Sequence, residues 1–89
     1  MDKIELIPDL SHCIETVAKN EYRKTVNRLL KGTRNEGIEE RAELLRKFLE
    51  TADIKKLRQE SERYLTQGKK VKFIIGLEEG ESYYSMQVI

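Results

Sequence analysis

The sequence has 89 residues, which is enough for one domain and too few for two. We therefore predict a single domain over residues 1–89. Hydrophobic residues make up 38% of the chain and charged residues 37%, and the apolar residues follow helix and strand spacing. This composition excludes disorder along the whole length. The formal net charge of +1 argues against a dedicated polyanion-binding domain, which is usually clearly basic.

Cysteine usage and the absence of long apolar runs predict the compartment. Cys13 is the sole cysteine, so no disulfide can form within the chain, which favours a reducing compartment. The sequence contains no membrane-spanning apolar run, and Met1-Asp2-Lys3 does not begin a signal peptide. We predict a cytoplasmic protein with no membrane partner.

The first half of the chain predicts a short strand followed by a long helix. Residues 3–7 alternate polar and apolar, and Pro8 ends that strand because proline cannot donate to a β-ladder. Asp9 is the predicted N-cap of a helix over residues 9–31, with Leu10 on its apolar stripe and Gly32 beyond its end.

Two further helices are predicted over residues 38–51 and 53–67, after a loop at 33–37. Phe48 lies on the apolar stripe of the first of them, and Glu43 and Lys47 form a favourable i,i+4 pair on it. Asp53 is the predicted cap of the last helix. Whether the two helices are separate or continuous stays open, because Ala52 does not resist a helix.

The C-terminal segment changes to strand periodicity and predicts a hairpin over about 70–78 and 82–89, with a turn at Glu79-Gly80. Pairing Glu78 with Glu81 places each large apolar residue of one face opposite another, apart from Leu77, which faces Ser82. A one-residue slip destroys this match. The same register brings Tyr83 over Gly76 and places Tyr84 on the apolar face as a core residue. The fold class is therefore α+β, with the helices packed on the hairpin.

Charge is distributed in blocks along the chain. Residues 1–18, 35–53 and 73–89 each carry a net charge of −3, whereas 19–34 and 54–72 each carry +5. Two interpretations of this pattern stay open. Either the opposite charges of neighbouring elements attract each other within the fold, or the two positive blocks form a composite basic surface that binds a nucleic acid or an acidic partner. The residues of this candidate basic patch are Arg23, Lys24, Lys31, Lys55, Lys56 and Arg58.

We find no pattern of catalytic, metal-binding or cofactor-binding residues, so we predict a non-enzymatic protein without a cofactor or small-molecule substrate. His12 and Cys13 are adjacent, and adjacent helical side chains point about 100° apart, so they cannot readily share one metal. Cys13 falls on the apolar stripe, where we predict a buried structural thiol. The glycines are scattered, with no phosphate-binding cluster.

The sequence leaves the specific function open and favours a protein-interaction or self-association module, with a homodimer as one form. The last strand ends in apolar residues without a charged side chain to protect its edge. The second face of the hairpin is half apolar and is either core or a contact surface. The candidate interface residues are Ile74, Tyr83, Val88 and Ile89.

The alternative function is DNA binding. Three helices followed by a hairpin resemble a winged helix-turn-helix domain over roughly residues 9–89. The resemblance implies that 38–51 and 53–67 form the helix-turn-helix, with Lys55, Lys56 and Arg58 near the start of the recognition helix. Glutamates at the tip of the hairpin would repel phosphate, which places this function second.

Overall fold

The computed structural model describes residues 3–32 and 36–89, and over these residues the chain forms three helices and three strands. In chain order they are β1 (Lys3–Leu6), α1 (Ile14–Leu30), α2 (Glu36–Thr51), α3 (Ile54–Leu65), β2 (Val71–Glu78) and β3 (Glu81–Val88). The predicted α+β class is confirmed. Of the predicted loop at 33–37, residues 33–35 lie outside the described residues, and the remaining two begin α2.

Helix α1 starts five residues later than predicted. The backbone amides of Ser11 and His12 donate to the Asp9 carboxylate at 2.8 and 2.7 Å. A helix N-cap would bond the same amides, but the backbones of Asp9 and His12 also bond each other, at 2.9 and 3.3 Å. These backbone bonds close a local turn at residues 9–12, and the first helical bond runs from the Val17 amide to the carbonyl oxygen of Cys13. Cys13 is therefore the N-cap, and Leu10 is 68% exposed. The predictions for Asp9 and Leu10 were wrong.

Helices α2 and α3 are separate. Asp53 lies outside helical geometry with φ −78° and ψ 81°, and its carboxylate accepts a hydrogen bond of 3.2 Å from the Lys56 amide. This is the predicted N-cap, and it begins a new helix after Ala52. Gly32 and Gly68 follow the ends of α1 and α3 with φ values of 86° and 82°, as expected of helix-terminating glycines.

The strands form an antiparallel sheet in the order β1-β2-β3. The predicted hairpin register is confirmed at every pair, from Val71 opposite Val88 to Glu78 opposite Glu81. The turn residues Glu79 and Gly80 have φ values of 52° and 82°. Two positive φ values in a two-residue turn are typical of type I′, whose twist matches that of the strands. The turn thus supports the register that the apolar pairs favour.

The core lies between the helices and one face of the sheet. Strands β1 and β2 contribute five buried residues to it, and the helices contribute six. These residues are Ile4, Leu6, Val71, Phe73, Ile75, Ile14, Ala18, Leu44, Leu45, Phe48 and Leu57. The buried hydroxyls of Thr25 and Ser61 donate to the backbone oxygens of Glu21 and Arg58, so neither is left unsatisfied.

Tyr84 differs from its prediction as a core residue. Its ring packs edge-to-face on Phe48 at 5.7 Å between centroids, yet the residue is 45% exposed. Strand β3 is an outer strand, so its helix-side residues have a neighbouring strand on one side only. Because of that position, a residue on the correct face stays half in solvent.

The polar contacts of α2 also differ from prediction. Arg46 binds Glu43 and lies 2.9 Å from Glu50, so Glu43 pairs with Arg46 rather than with Lys47. The Lys47 ammonium instead lies 3.4 Å from the carbonyl oxygen of Gly80 in the hairpin turn. Helix α2 is thus tied to the hairpin by its lysine as well as by the Phe48 ring.

Candidate interaction surface

The outer edge of β3 carries backbone groups that pair with no other strand in the described part of the chain. Lys70 and Ile89 exchange two backbone hydrogen bonds, of 3.3 and 2.8 Å. Hydrogen-bonded and non-hydrogen-bonded pairs alternate along an antiparallel ladder. With the observed register, the odd-numbered residues of β3 therefore bond to β2, and the even-numbered ones direct their N–H and C=O groups outward. These outward residues are Ser82, Tyr84, Met86 and Val88.

The side chains along this edge are uncharged from Ser82 to Ile89. Tyr84 and Val88 are 45% and 40% exposed on the helix side of the sheet, and Ile89 is 71% exposed at the strand end. Proteins usually protect such edges with charges, prolines or bulges, or by covering them. The other outer strand of the described sheet, β1, has only four residues, carries the exposed charges of Lys3 and Glu5, and is followed by Pro8. Charges and a proline protect the edge of β1, so the long uncharged edge of this sheet is that of β3. We call the residues 82–88 the β3 edge.

The second face of the sheet, which we call the open face, is covered by no helix within the described residues. Ile74 and Tyr83 lie on it and are both half-buried. Tyr83 lies against Gly76, where an added Cβ would be 2.4 Å from the ring atom Cζ. The predicted cover of Gly76 by this ring is therefore confirmed.

The four predicted interface residues do not share one surface. Ile74 and Tyr83 lie on the open face, and Ile89 continues the alternation of Tyr83 at the strand end, where its backbone bonds to Lys70. Val88 pairs with Val71 and so points to the helix side. Tyr84 is accessible although periodicity predicts it in the core, because its exposure depends on the position of β3 at the edge of the sheet as well as on its face of the strand.

A hollow of about 610 Å³ opens between the loop after β1 and the connection from α3 to β2. Its apolar wall includes Ile7 and Leu10, which are 61% and 68% exposed. Lys69 and Lys70 also line it, and the Lys69 ammonium lies 5.8 Å from the centre of the Tyr64 ring. The hollow thus lies between the loop that follows β1 and the start of β2, and no described residue of β3 lines it.

The residues of the candidate basic patch come from two helices: Arg23, Lys24 and Lys31 lie on α1 or at its end, and Lys55, Lys56 and Arg58 lie on α3. Arg58 hydrogen-bonds Glu62 at 3.0 Å, which raises the pKa of its guanidinium, and it lies near Cys13 and Glu15 at the start of α1. At 1.5 Å per residue, Arg23 lies about 12 Å and Lys31 about 24 Å further along that helix than Glu15. Lys24 is 3.8 Å from Glu21. The six residues are thus spread along the helical layer.

Cys13 is half-buried rather than buried, at the N-cap of α1. Its Sγ lies 3.4 Å from the Thr16 hydroxyl, and the side-chain and backbone hydrogen bonds of Thr16 lower the pKa of the thiol. His12 lies beside Asp9, with Nδ1 to Oδ1 at 3.4 Å. Among residues 3–32 and 36–89, no group of three His, Cys, Asp or Glu side chains is placed to hold a metal ion. No described helix is long and apolar enough to span a membrane.

Comparison with curated proteins and with solved structures finds no match. A protein-family model matches residues 3–85, from the start of β1 into β3. This match covers β1, the three helices and β2, and it extends into the β3 edge as far as residue 85. The chain therefore belongs to the uncharacterised protein family whose model matches residues 3–85.

Proposed function

We propose that this protein is a protein-interaction module that receives an extended strand of a partner along the β3 edge. The observation that carries the proposal is the edge itself: four outward residues, no charged side chain from 82 to 89, and exposed apolar groups at Tyr84 and Val88. Strand addition to an open sheet edge is a recurrent mode of protein recognition, in which backbone hydrogen bonds supply affinity and alternate side chains supply specificity.

The edge is well prepared for this role because its conformation is fixed before a partner arrives. The type I′ turn sets the hairpin register, and Met86 packs on the core. The contacts of Phe48 with Tyr84 and of Lys47 with the turn hold the hairpin against α2. A strand that adds to a preformed edge orders mainly itself, so less conformational entropy opposes binding.

Site-specific photo-crosslinking tests the proposal in the cells that make the protein. A benzophenone amino acid replaces Tyr84 in one variant and Val88 in another, and Leu30 in a control. Leu30 is 79% exposed and apolar, so it matches the edge residues in chemistry but lies at the end of α1. We expect protein adducts from positions 84 and 88 and few from position 30. Equal yields at all three positions, or none at the edge, would contradict the proposal.

DNA binding is a second candidate because α3 presents basic side chains to solvent. Lys55, Lys56 and Arg63 are exposed and form no ion pair among the described residues. The exposed glutamates 78, 79 and 81 at the hairpin tip oppose it, since that tip would approach phosphates in a winged-helix complex.

We expect no binding to mixed-sequence duplex DNA at physiological salt. Fluorescence anisotropy of a labelled duplex, titrated at two salt concentrations, measures this directly. A micromolar complex that weakens with salt and is abolished by Lys55→Glu with Lys56→Glu would instead establish DNA binding through α3. The double variant Arg23→Glu with Lys24→Glu is the matched control, because it changes the same charge on α1.

A further inference from the structure

We propose that the strand received by the β3 edge is the β3 strand of a second copy of this chain, antiparallel to the first about a two-fold axis at Ser85. This inference rests on the proposed function and names its partner. A two-fold interface brings the same surface of both copies together, so the edge must be complementary to itself.

The hydrogen-bonding pattern selects the register of this pairing. Only the even-numbered residues of the edge have outward backbone groups, so each of them must face an even-numbered residue of the second copy. An axis at Tyr84 or at Met86 leaves one outward residue of each copy unpaired. An axis at Ser85 pairs all of them: Ser82 with Val88 and Tyr84 with Met86, in both directions. This register therefore satisfies every outward group of the edge.

The side chains match in the same register. On the helix side, the large Tyr84 lies opposite Met86 of the other copy, and the small Ser82 lies opposite Val88. Directly opposite residues interact most strongly across strands, and no charged side chain enters the seam. On the open face, the axis passes between two serines, which leaves room for the strands to approach. Tyr84 and Val88, exposed in one copy, are thereby covered.

Charge at the two ends of the hairpin fixes the antiparallel orientation. The turn end carries the exposed Glu78, Glu79 and Glu81, and the other end carries the exposed Lys69 and Lys70. These ends lie about 26 Å apart along β2 at 3.3 Å per residue, so they cannot neutralise each other within one copy. Antiparallel pairing sets Glu81 beside Ile89 of the second copy, whose own β2 neighbour is Lys70. A parallel pairing would bring the two acidic turns together.

Sedimentation equilibrium of the full chain tests the inference. We expect a dimer in the micromolar range for the wild type. Val88→Pro removes from each copy an outward N–H that the pairing uses, without removing a bond to β2, and should weaken the dimer about a hundredfold. Tyr84→Lys places an unpaired ammonium in each half of the seam and should also weaken the dimer, and Leu30→Lys on α1 should change nothing. Circular dichroism verifies that each variant is folded, and Val88 lies outside the core cluster, so its variant should keep its fold.

A charge exchange separates this arrangement from other dimers. In a two-fold dimer, each acidic turn meets a basic end. Glu81→Lys alone and Lys70→Glu alone therefore each put like charges at both meeting points, and each should weaken self-association by about tenfold at low salt. A mixture of the two variants restores opposite charges at both points and should recover wild-type affinity as a heterodimer. Failure of the mixture to recover would overturn the antiparallel arrangement.

A wild type that is monomeric across the micromolar range would overturn the inference of a second copy. Edge-specific crosslinks to a different protein would then still support the proposed function. A dimer that Val88→Pro and Tyr84→Lys leave intact would also overturn the inference, because association would then use another surface. The photo-crosslinks at positions 84 and 88 would then decide the proposed function by themselves.

Discussion

Replacing Phe48 with alanine is expected to destabilise the domain by about 3–5 kcal/mol. The Phe48 side chain is 1% exposed, belongs to the shared core, and contacts the Tyr84 ring edge-to-face. Truncation loses the transfer free energy of the ring and leaves a cavity between α2 and the hairpin. Small domains have stabilities of the order of 5 kcal/mol, so the variant should be largely unfolded near physiological temperature.

Urea denaturation followed by circular dichroism measures this loss. Phe48→Leu is the graded variant and should cost less, because leucine fills part of the cavity. Leu30→Ala removes an apolar side chain that is 79% exposed and should change stability by no more than about 0.5 kcal/mol. A cooperative Phe48→Ala transition close to that of the wild type would show that the ring does not support the core.

Replacing Gly76 with alanine is expected to cost about 1–3 kcal/mol, the usual cost of overpacking. An added Cβ would lie 2.4 Å from both Cζ and Oη of Tyr83, so the ring must move off the strand. The φ of Gly76 is not in the left-handed region, which makes side-chain contact the source of the cost rather than backbone strain. In an open strand, alanine would by itself be at least as favourable as glycine.

A double-mutant cycle isolates this contact. Gly76→Ala should be destabilising in the wild type and close to neutral in the Tyr83→Ala background, since the ring is then absent. Urea denaturation of the four proteins gives the coupling free energy directly. Equal costs in both backgrounds would show that Tyr83 does not cover Gly76 in solution.

The hairpin was predictable because two independent signals agree on it. Alternation matches Phe73 with Met86 and Val71 with Val88, and a Glu-Gly turn of two residues favours the same register. The ends of α3 were predictable for a similar reason, since Asp53 and Gly68 lie at the two positions where a helix needs a cap and a stop.

The start of α1 could not be predicted from local signals alone. An aspartate ahead of an apolar run favours both an N-cap and a local turn, and Asp9 adopts the turn. Leu10 then leaves the apolar stripe. The partner of Glu43 was ambiguous in the same way, because Arg46 and Lys47 both lie within reach on one helix face.

The candidate site could be predicted only in part. Composition identified an uncharged last strand, but the outward direction of its backbone groups depends on which residues bond to β2. Tyr84 shows the difference: its face follows from periodicity, whereas its exposure follows from the order of strands in the sheet. Whether the basic residues of α1 and α3 form one patch likewise depends on how these two helices pack against each other, which the sequence does not give.

The central position of β2 has a consequence for how the molecule assembles. The β2–β3 hairpin closes over a turn of two residues, whereas all three helices lie between β1 and β2 in the chain. Closing the long loop between β1 and β2 costs more chain entropy than closing the hairpin turn. The hairpin can therefore form first, with both of its edges still unpaired. During that interval, β1 of one molecule competes with β1 of another for the same edge of β2. Exchange of the first strand between molecules is thus an inherent hazard of this topology, and dilution during refolding should suppress it.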